Sequence, residues 1–500
     1  MKYSSIRFAA FLSAFGLTTS LSFAQASPGR AAAPGAAAPG AASDPAADAL
    51  AATLARIRDA ALKDDWAYQR LADLCDKIGP RLSGSAGAEA AVAQVTAALR
   101  DAGLTVTLQP TQVPHWVRGE ELADIIDYPG RPAGITQHMH LTTLGGSVAT
   151  PPQGLTADVL VVHSFDELKA RADQARGKIV VYDVPYNEEL AVNGHAGTAY
   201  GQGVQYRFAG ASAAARVGGV AALVRTVGGA DYRLPHTGAM GYQDGVAKIP
   251  TAALSAEDAM WLTRLAAQGT VKVHLKLNPQ TLPDVESHNV IADWPGREKP
   301  DEVVIVSGHL DSWDLAQGAI DDGAGVSSAM GAIEVLRSLG LRARRTVRFV
   351  AWMDEEHGGS GSKAYFKANA ASLKLHAAAI ESDEGAGRPL GISAHVLPES
   401  LQDLKPLITA LQPLGATVLE HSEVGTGADV DPLDEAGIPT LSPLVDTRKY
   451  FDYHHSPADT LDKIRPDDIK AQVAVLAMMA YYLADSPQLL PRLPVSTQPH

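Results

Sequence analysis

His309, Asp321, Glu356, Asp383 and His455 stand on five separate segments of a 500-residue chain, and Glu356 follows directly on a second glutamate, Glu355. Imidazole and carboxylate are the ligands that catalytic zinc sites use. Two metal ions sharing one carboxylate, with a further glutamate free to move protons, suffice to hydrolyse a peptide bond with activated water. That chemistry requires the five side chains to converge.

Taken singly, each segment has two readings. In His309-Leu310-Asp311 the carboxylate two residues on can accept the second ring N–H and fix the imidazole for a metal, but a hydrogen-bonded loop histidine looks the same. Asp321-Asp322 precedes a helix start and has Gly318 and Gly323 on either side. A carboxylate there caps the helix, or bridges ions where glycine permits close backbone approach. Asp354-Glu355-Glu356 ends an apolar run, and three consecutive carboxylates repel one another unless something positive neutralises them. A metal would do so, with one glutamate ligating and its neighbour taking a proton from the attacking water. An acidic surface turn is the other reading. Glu381-Ser382-Asp383-Glu384 repeats the arrangement, and His454-His455 is either a structural pair or the second imidazole. Together the segments supply a histidine, a carboxylate and a shared carboxylate for each of two metals.

The elements that must position these groups alternate. A strand over 303–306 leads to loop 307–322 and a helix over 324–339. A strand over 346–352, a helix from 360 and a strand over 375–380 follow, and the amphipathic stretch 467–484 closes the series. Such alternation predicts an α/β fold, a mixed, largely parallel sheet sandwiched by helices, with functional groups beyond the carboxyl ends of its strands. His309, Glu355, Glu356 and Asp383 fall at that edge. Upstream, helical patterning begins near Asp48, a helix over 84–104 is capped by Ser83 or Ser85, and 105–113 alternates as a strand. From 114 to 282, short β-like runs (159–162, 178–182, 221–224) and helical segments (165–175, 209–217) indicate a separate α/β module. The expected domains are therefore 48–113 with 283–490 as the host and 114–282 as the insert.

A net charge of −14 argues against nucleic acid or anionic lipid as a partner. Residues 1–26 read as a secretory signal: Lys2 and Arg7, an apolar run from Phe8 to Phe23, then Ala24-Gln25-Ala26 as a cleavage site. The run is shorter than the ~20 residues of a membrane span. The expectation is thus a secreted or periplasmic protein with no span after signal removal. Residues 27–47 form an Ala/Pro/Gly linker. Cys75 is the only cysteine, so no intrachain disulfide can form and any zinc here must be held by His and carboxylate.

From about residue 50 to 490 the chain resembles the co-catalytic di-zinc aminopeptidase and glutamate carboxypeptidase family. The likeness rests on 306–314 (VSGHLDSWD), 317–323 (QGAIDDG), 381–383 (ESD) and 450–456, and within the insert on 113–120, 175–182, 235–238, 242–245 and 248–252. The resemblance implies two zinc ions per subunit bridged by Asp321, with His309 and Asp383 completing one site and Glu356 and His455 the other. It makes Glu355 the general base and Asp311 the support of His309. It also implies a protease-associated-like insert, a homodimer, and small unblocked peptides, chiefly dipeptides, as substrates. In the glutamate carboxypeptidase branch a tyrosine precedes the final histidine ligand. His454 stands there instead, so a preference for C-terminal glutamate is not implied. The alternatives are a broad zinc aminopeptidase acting on longer peptides, a non-catalytic receptor-like protein on the same scaffold, and a one-zinc glutaminyl-cyclase-like transferase.

Overall fold

The computed structural model describes residues 45–229 and 232–495. The expected signal segment lies outside them, as does the expected linker except for its last three residues. Those three already belong to the first helix, Pro45–Ala61. Proline is tolerated in a first turn and the alanines that follow favour helix, so the helix begins ahead of the apolar stripe.

Two eight-stranded sheets organise the described residues. The first runs Thr105–Val117, Gln280–Trp294, Arg345–Trp352, Lys299–His309, His376–Glu381, Thr440–Val445, Pro389–His395, Val418–His421. Its centre is parallel: Lys299–His309 lies between Arg345–Trp352 and His376–Glu381, and the latter pairs in parallel with Thr440–Val445. The long strands Thr105–Val117 and Gln280–Trp294 form an antiparallel flank. Val303 to Val306 are all buried, as expected of a strand covered on both faces. One cover is the helix Ala324–Ser338, whose small residues let Pro466–Asp485 pack closely against it; Gly331 has no room for a Cβ beside Val473 and Ala67. Of the apolar residues that follow Asp48, Leu54 and Ile57 join this core while Leu62 is 39% exposed. Ser85, rather than Ser83, caps the helix Ala86–Asp101 by accepting from the Ala88 amide at 3.2 Å.

The register sets the functional edge. His309 is paired with Trp352, and Ser307 with Glu381, so three strands end side by side and release loops 310–318, 353–359 and 382–388 at one level.

The second sheet is built wholly from strands between residues 121 and 277, in the order Gln137–His138, Glu121–Asp127, Lys272–Leu277, Leu155–Val162, Ile179–Tyr182, Ala221–Arg225, Thr251–Leu254, Leu141–Thr143. Helix Ala196–Arg216 packs on it and starts well before the expected 209, because alanines and glycines there dilute the apolar period. The expected helix over 165–175 is two short helices that meet at Arg171. The two sheets touch through Arg118, whose guanidinium binds Asp314 of the first loop and Thr142 and the Thr143 carbonyl of the second sheet. No helix among the described residues is long and apolar enough to cross a membrane.

Candidate metal centre

The five expected ligand residues meet at the carboxyl edge of the first sheet. Two groups of potential ligand atoms form there, His309/Asp321/Asp383 and Asp321/Glu356/His455, each with its atoms within 4.8 Å of one another. Asp321 belongs to both. Its Oδ1 lies 3.1 Å from His309 Nε2, and its Oδ2 lies 3.0 Å from His455 Nε2. His309 Nε2 is also 3.3 Å from Asp383 Oδ1, and His455 Nε2 is 3.0 Å from Glu356 Oε2. One carboxylate thus faces two imidazoles, and each imidazole faces a further carboxylate.

The donor set fits divalent cations. Asp321 Oδ2, Glu356 Oε1 and Asp383 Oδ1 are buried and find no hydrogen-bond partner, although buried carboxylate oxygens ordinarily do. Asp321 Oδ2 and Asp383 Oδ1 approach the imidazoles of His455 and His309 at 3.0 and 3.3 Å without hydrogen-bond alignment. The electrostatics show the same shortage of positive charge. Burial disfavours the charged form of His309 and His455, yet Asp383 and Asp321 hold His309 well above the usual range, and Glu356 and Asp321 lift His455 to about 9. Burial would raise Asp321 too, but His454, His309 and His455 keep it well below the ordinary carboxylate range. Burial pushes Glu356 up to about 7 and also raises Asp383. Cations at the two groups would relieve these repulsions directly.

Glu355 is held well above its ordinary range, first by burial, with Asp383, Glu356 and Asp321 adding repulsion and His309 opposing it. Its field comes from the same residues that form the cluster, so it borders the centre without belonging to either ligand group.

Asp311 does not do what its spacing predicts. His309 Nδ1 is paired with the backbone carbonyl of Asp311 at 3.0 Å, while the nearest carboxylate oxygen is 3.9 Å away. The carboxylate turns instead to the neighbouring loop and accepts the amides of Asp354 (2.8 Å), Glu355 (3.2 Å) and Glu356 (3.4 Å). Consecutive amides converging on one anion outcompete a ring N–H that the local carbonyl already serves. The support of His309 thus passes to a backbone group, and Asp311 becomes the clamp of the Glu355-Glu356 turn.

Asp321 and Asp322 divide the two roles their position allowed. Asp322 accepts the His309 amide at 3.1 Å and the Gly325 amide at 2.9 Å, so it caps the helix and ties it to the strand end. Gly308 is required for that approach, since a Cβ would lie 2.5 Å from Asp322 Oδ2. Asp321 is left free for the centre. Its backbone is held by Asp459, which accepts the Ile320 and Asp321 amides at 2.6 and 3.2 Å. Asp429 has both carboxyl oxygens buried without hydrogen-bond partners, while its amide donates to Glu381.

Several supporting residues were not among the expected site residues. Arg81, fully buried, donates to the carbonyls of Gly79, Leu310, Gln317 and Gly318 and sets the loop between His309 and Asp321. From the loop between strands Ala221–Arg225 and Thr251–Leu254 of the second sheet, Thr237 donates its amide to the His455 carbonyl at 2.8 Å, and its own carbonyl lies 3.3 Å from His455 Nδ1. Gly238 is needed beside it, because a Cβ there would collide with the Arg207 guanidinium.

Residues 289–480 match the family model of peptidase family M28. Carboxypeptidase Q of Homo sapiens is 42% identical over 428 residues, covering 85% of this chain and 86% of that protein. The crystal structure of a peptidase M28 precursor from Shewanella amazonensis SB2B superposes with a TM-score of 0.84 at 36% identity, covering 90% of this chain and 99% of that one. The structure of BSAP, a zinc aminopeptidase from Bacillus subtilis, shares the fold with a TM-score of 0.60 at 23% identity, covering 83% and 94%.

Proposed function

The chain belongs to peptidase family M28, in its carboxypeptidase Q branch, and is a zinc metallopeptidase; from that premise we propose that it hydrolyses small unblocked peptides, chiefly dipeptides, at a two-zinc centre. The observation that carries the proposal is the double role of Asp321, whose two oxygens each face a separate histidine–carboxylate pair. His309, Asp383 and Asp321 would hold one ion, and Glu356, His455 and Asp321 the other. When bound, the ions would polarise the scissile carbonyl and acidify a water molecule.

The protein's own groups do the rest. Glu355, unligated and bordering both ligand groups, receives the proton of the attacking water and passes it to the leaving amine. Burial and neighbouring carboxylates raise its proton affinity, which suits a group that must take up a proton and then return it. Asp311 holds the Glu355 amide, so the base and the adjacent ligand Glu356 are placed by one clamp. Trp313, tilted against His357 and edge-on to His455, walls the centre on the side of the second sheet.

We read the region of the second sheet as a protease-associated-like insert, the active protein as a homodimer, and residues 1–26 as the signal that directs it to the periplasm or outside the cell. A panel of free dipeptides, N- and C-blocked dipeptides and longer peptides, assayed before and after chelation and zinc return, tests the substrate class. Free dipeptides should be cleaved fastest, and only by the metal-loaded protein. Faster cleavage of longer peptides from the amino end would make it a broad aminopeptidase.

A further inference from the structure

A third histidine cluster lies against the centre. His236, on the loop after strand Ala221–Arg225, is fully buried with His454 and His455, and the three form a third group of potential ligand atoms. The rings of His454 and His455 stack at 3.6 Å, and both Nε2 atoms point at the same oxygen, Asp321 Oδ2, at 3.3 and 3.0 Å. Parallel rings aimed at one carboxylate oxygen are poorly disposed to close on a separate ion with His236. The contact that His236 makes is a pairing of rings: its Nε2 is 3.0 Å from His454 Nδ1.

That contact has a direction. One nitrogen must carry a proton and the other must be bare. If His236 Nε2 were the acceptor, the proton of neutral His236 would sit on Nδ1, which is buried and has no partner. An orphaned buried N–H is costlier than an orphaned lone pair and is rarely found. His236 Nε2–H therefore donates, His454 Nδ1 accepts, and the proton of His454 sits on Nε2, facing the centre.

We propose that His236 is a positioning residue for the peptidase reaction: it fixes His454 in the tautomer that presents an Nε2–H donor beside Asp321, so the region of the second sheet supplies part of the catalytic centre. Once Asp321 serves the cations, that N–H is left for an oxygen of the substrate, and a donor fixed in advance favours charge that develops there. The inference rests on the two-zinc peptidase reading and extends it to a residue outside the first sheet.

The test compares His236→Phe, which keeps a ring and removes the donor, with His236→Gln, which retains an N–H. His236→Phe should lower kcat for a dipeptide by about 10- to 100-fold with KM within about threefold, as for loss of a ligand-orienting partner. His236→Gln should recover part of the loss, and His236→Phe combined with His454→Phe should be no slower than His454→Phe alone. Zinc content should stay at wild-type stoichiometry throughout. In metal-free, histidine-labelled protein, the 15N signals lost in His454→Phe should show a single Nε2-protonated tautomer, and His236→Phe should mix the two tautomers. Wild-type kcat in His236→Phe, multiplicative losses in the double variant, or an extra zinc bound by wild type and lost with His236 would each overturn the proposal. If Glu355→Gln were fully active, or wild type bound no zinc, the underlying reading would fail instead, which the same measurements distinguish.

Discussion

Two acidic loops leave, at the same edge, the two parallel strands that flank Lys299–His309: Asp354-Glu355-Glu356 after Arg345–Trp352, and Glu381-Ser382-Asp383 after the strand His376–Glu381 that ends in Glu381 itself. In both, the first carboxylate is absorbed by the scaffold. Asp354 accepts from Ser83 Oγ at 2.7 Å and the Ser360 amide at 3.2 Å, and Glu381 accepts the amides of Asp429 and Val430 at 3.2 and 2.9 Å. In both, the last carboxylate points into the centre with one oxygen unpartnered. The loops differ in the middle: one has Ser382, whose hydroxyl accepts from Gln472 in the core at 2.9 Å, and the other has Glu355. The repetition brings Glu356 and Asp383 to the candidate centre, and the single difference leaves Glu355 for the proposed role of base. Buried acids that look interchangeable are sorted by whether the fold gives them donors.

The sharpest way to break this comparison is at its point of difference. Glu355→Gln should lower dipeptide turnover on the order of 10²-fold or more while both zinc ions stay bound. Near-normal turnover in a metal-verified variant would remove Glu355 from the reaction. A smaller effect is expected at the clamp: Asp311→Asn keeps one acceptor but loosens the three amides of the 354–356 loop, and should weaken zinc binding by about 10- to 100-fold, read by chelator competition. If only His309 depended on Asp311, the Glu356 site would keep its affinity. Smallest is Glu381→Gln, which should cost about 1 kcal/mol in denaturant unfolding and leave zinc content intact, unlike Asp383→Asn in the same loop. Loss of zinc in Glu381→Gln would erase the distinction between scaffold and centre.

Much of this was legible in the sequence. The strand–helix alternation from 303 to 380 was readable because apolar runs mark buried strands, and His309, Glu356 and Asp383 stood out as candidate ligands because each follows one; Asp321 and His455 stood out by residue type and by the family resemblance. The division of labour between neighbours was not legible in the residues themselves and was implied only by the resemblance. Asp321 and Asp322 are chemically identical, and what separates them is that the His309 and Gly325 amides come to one and not the other. The carboxylate of Asp311 serves amides 43 to 45 residues away, and Arg81 reaches carbonyls 229 to 237 residues away, so no local pattern announces either. His236 and Thr237 were visible only as part of a matching stretch, 235–238, because their partners lie 218 residues downstream. Local chemistry and periodicity reveal which groups are available; the distant donors that commit each group appear only in the fold.

The central claim is that Asp321 is shared. Zinc analysis of the purified protein beside its Asp321→Asn variant tests it most directly. Two zinc ions per wild-type chain, and impaired binding of both in the variant, are the predicted results. A single ion in wild type, or loss of only one from Asp321→Asn with the other bound at unchanged affinity, would contradict it.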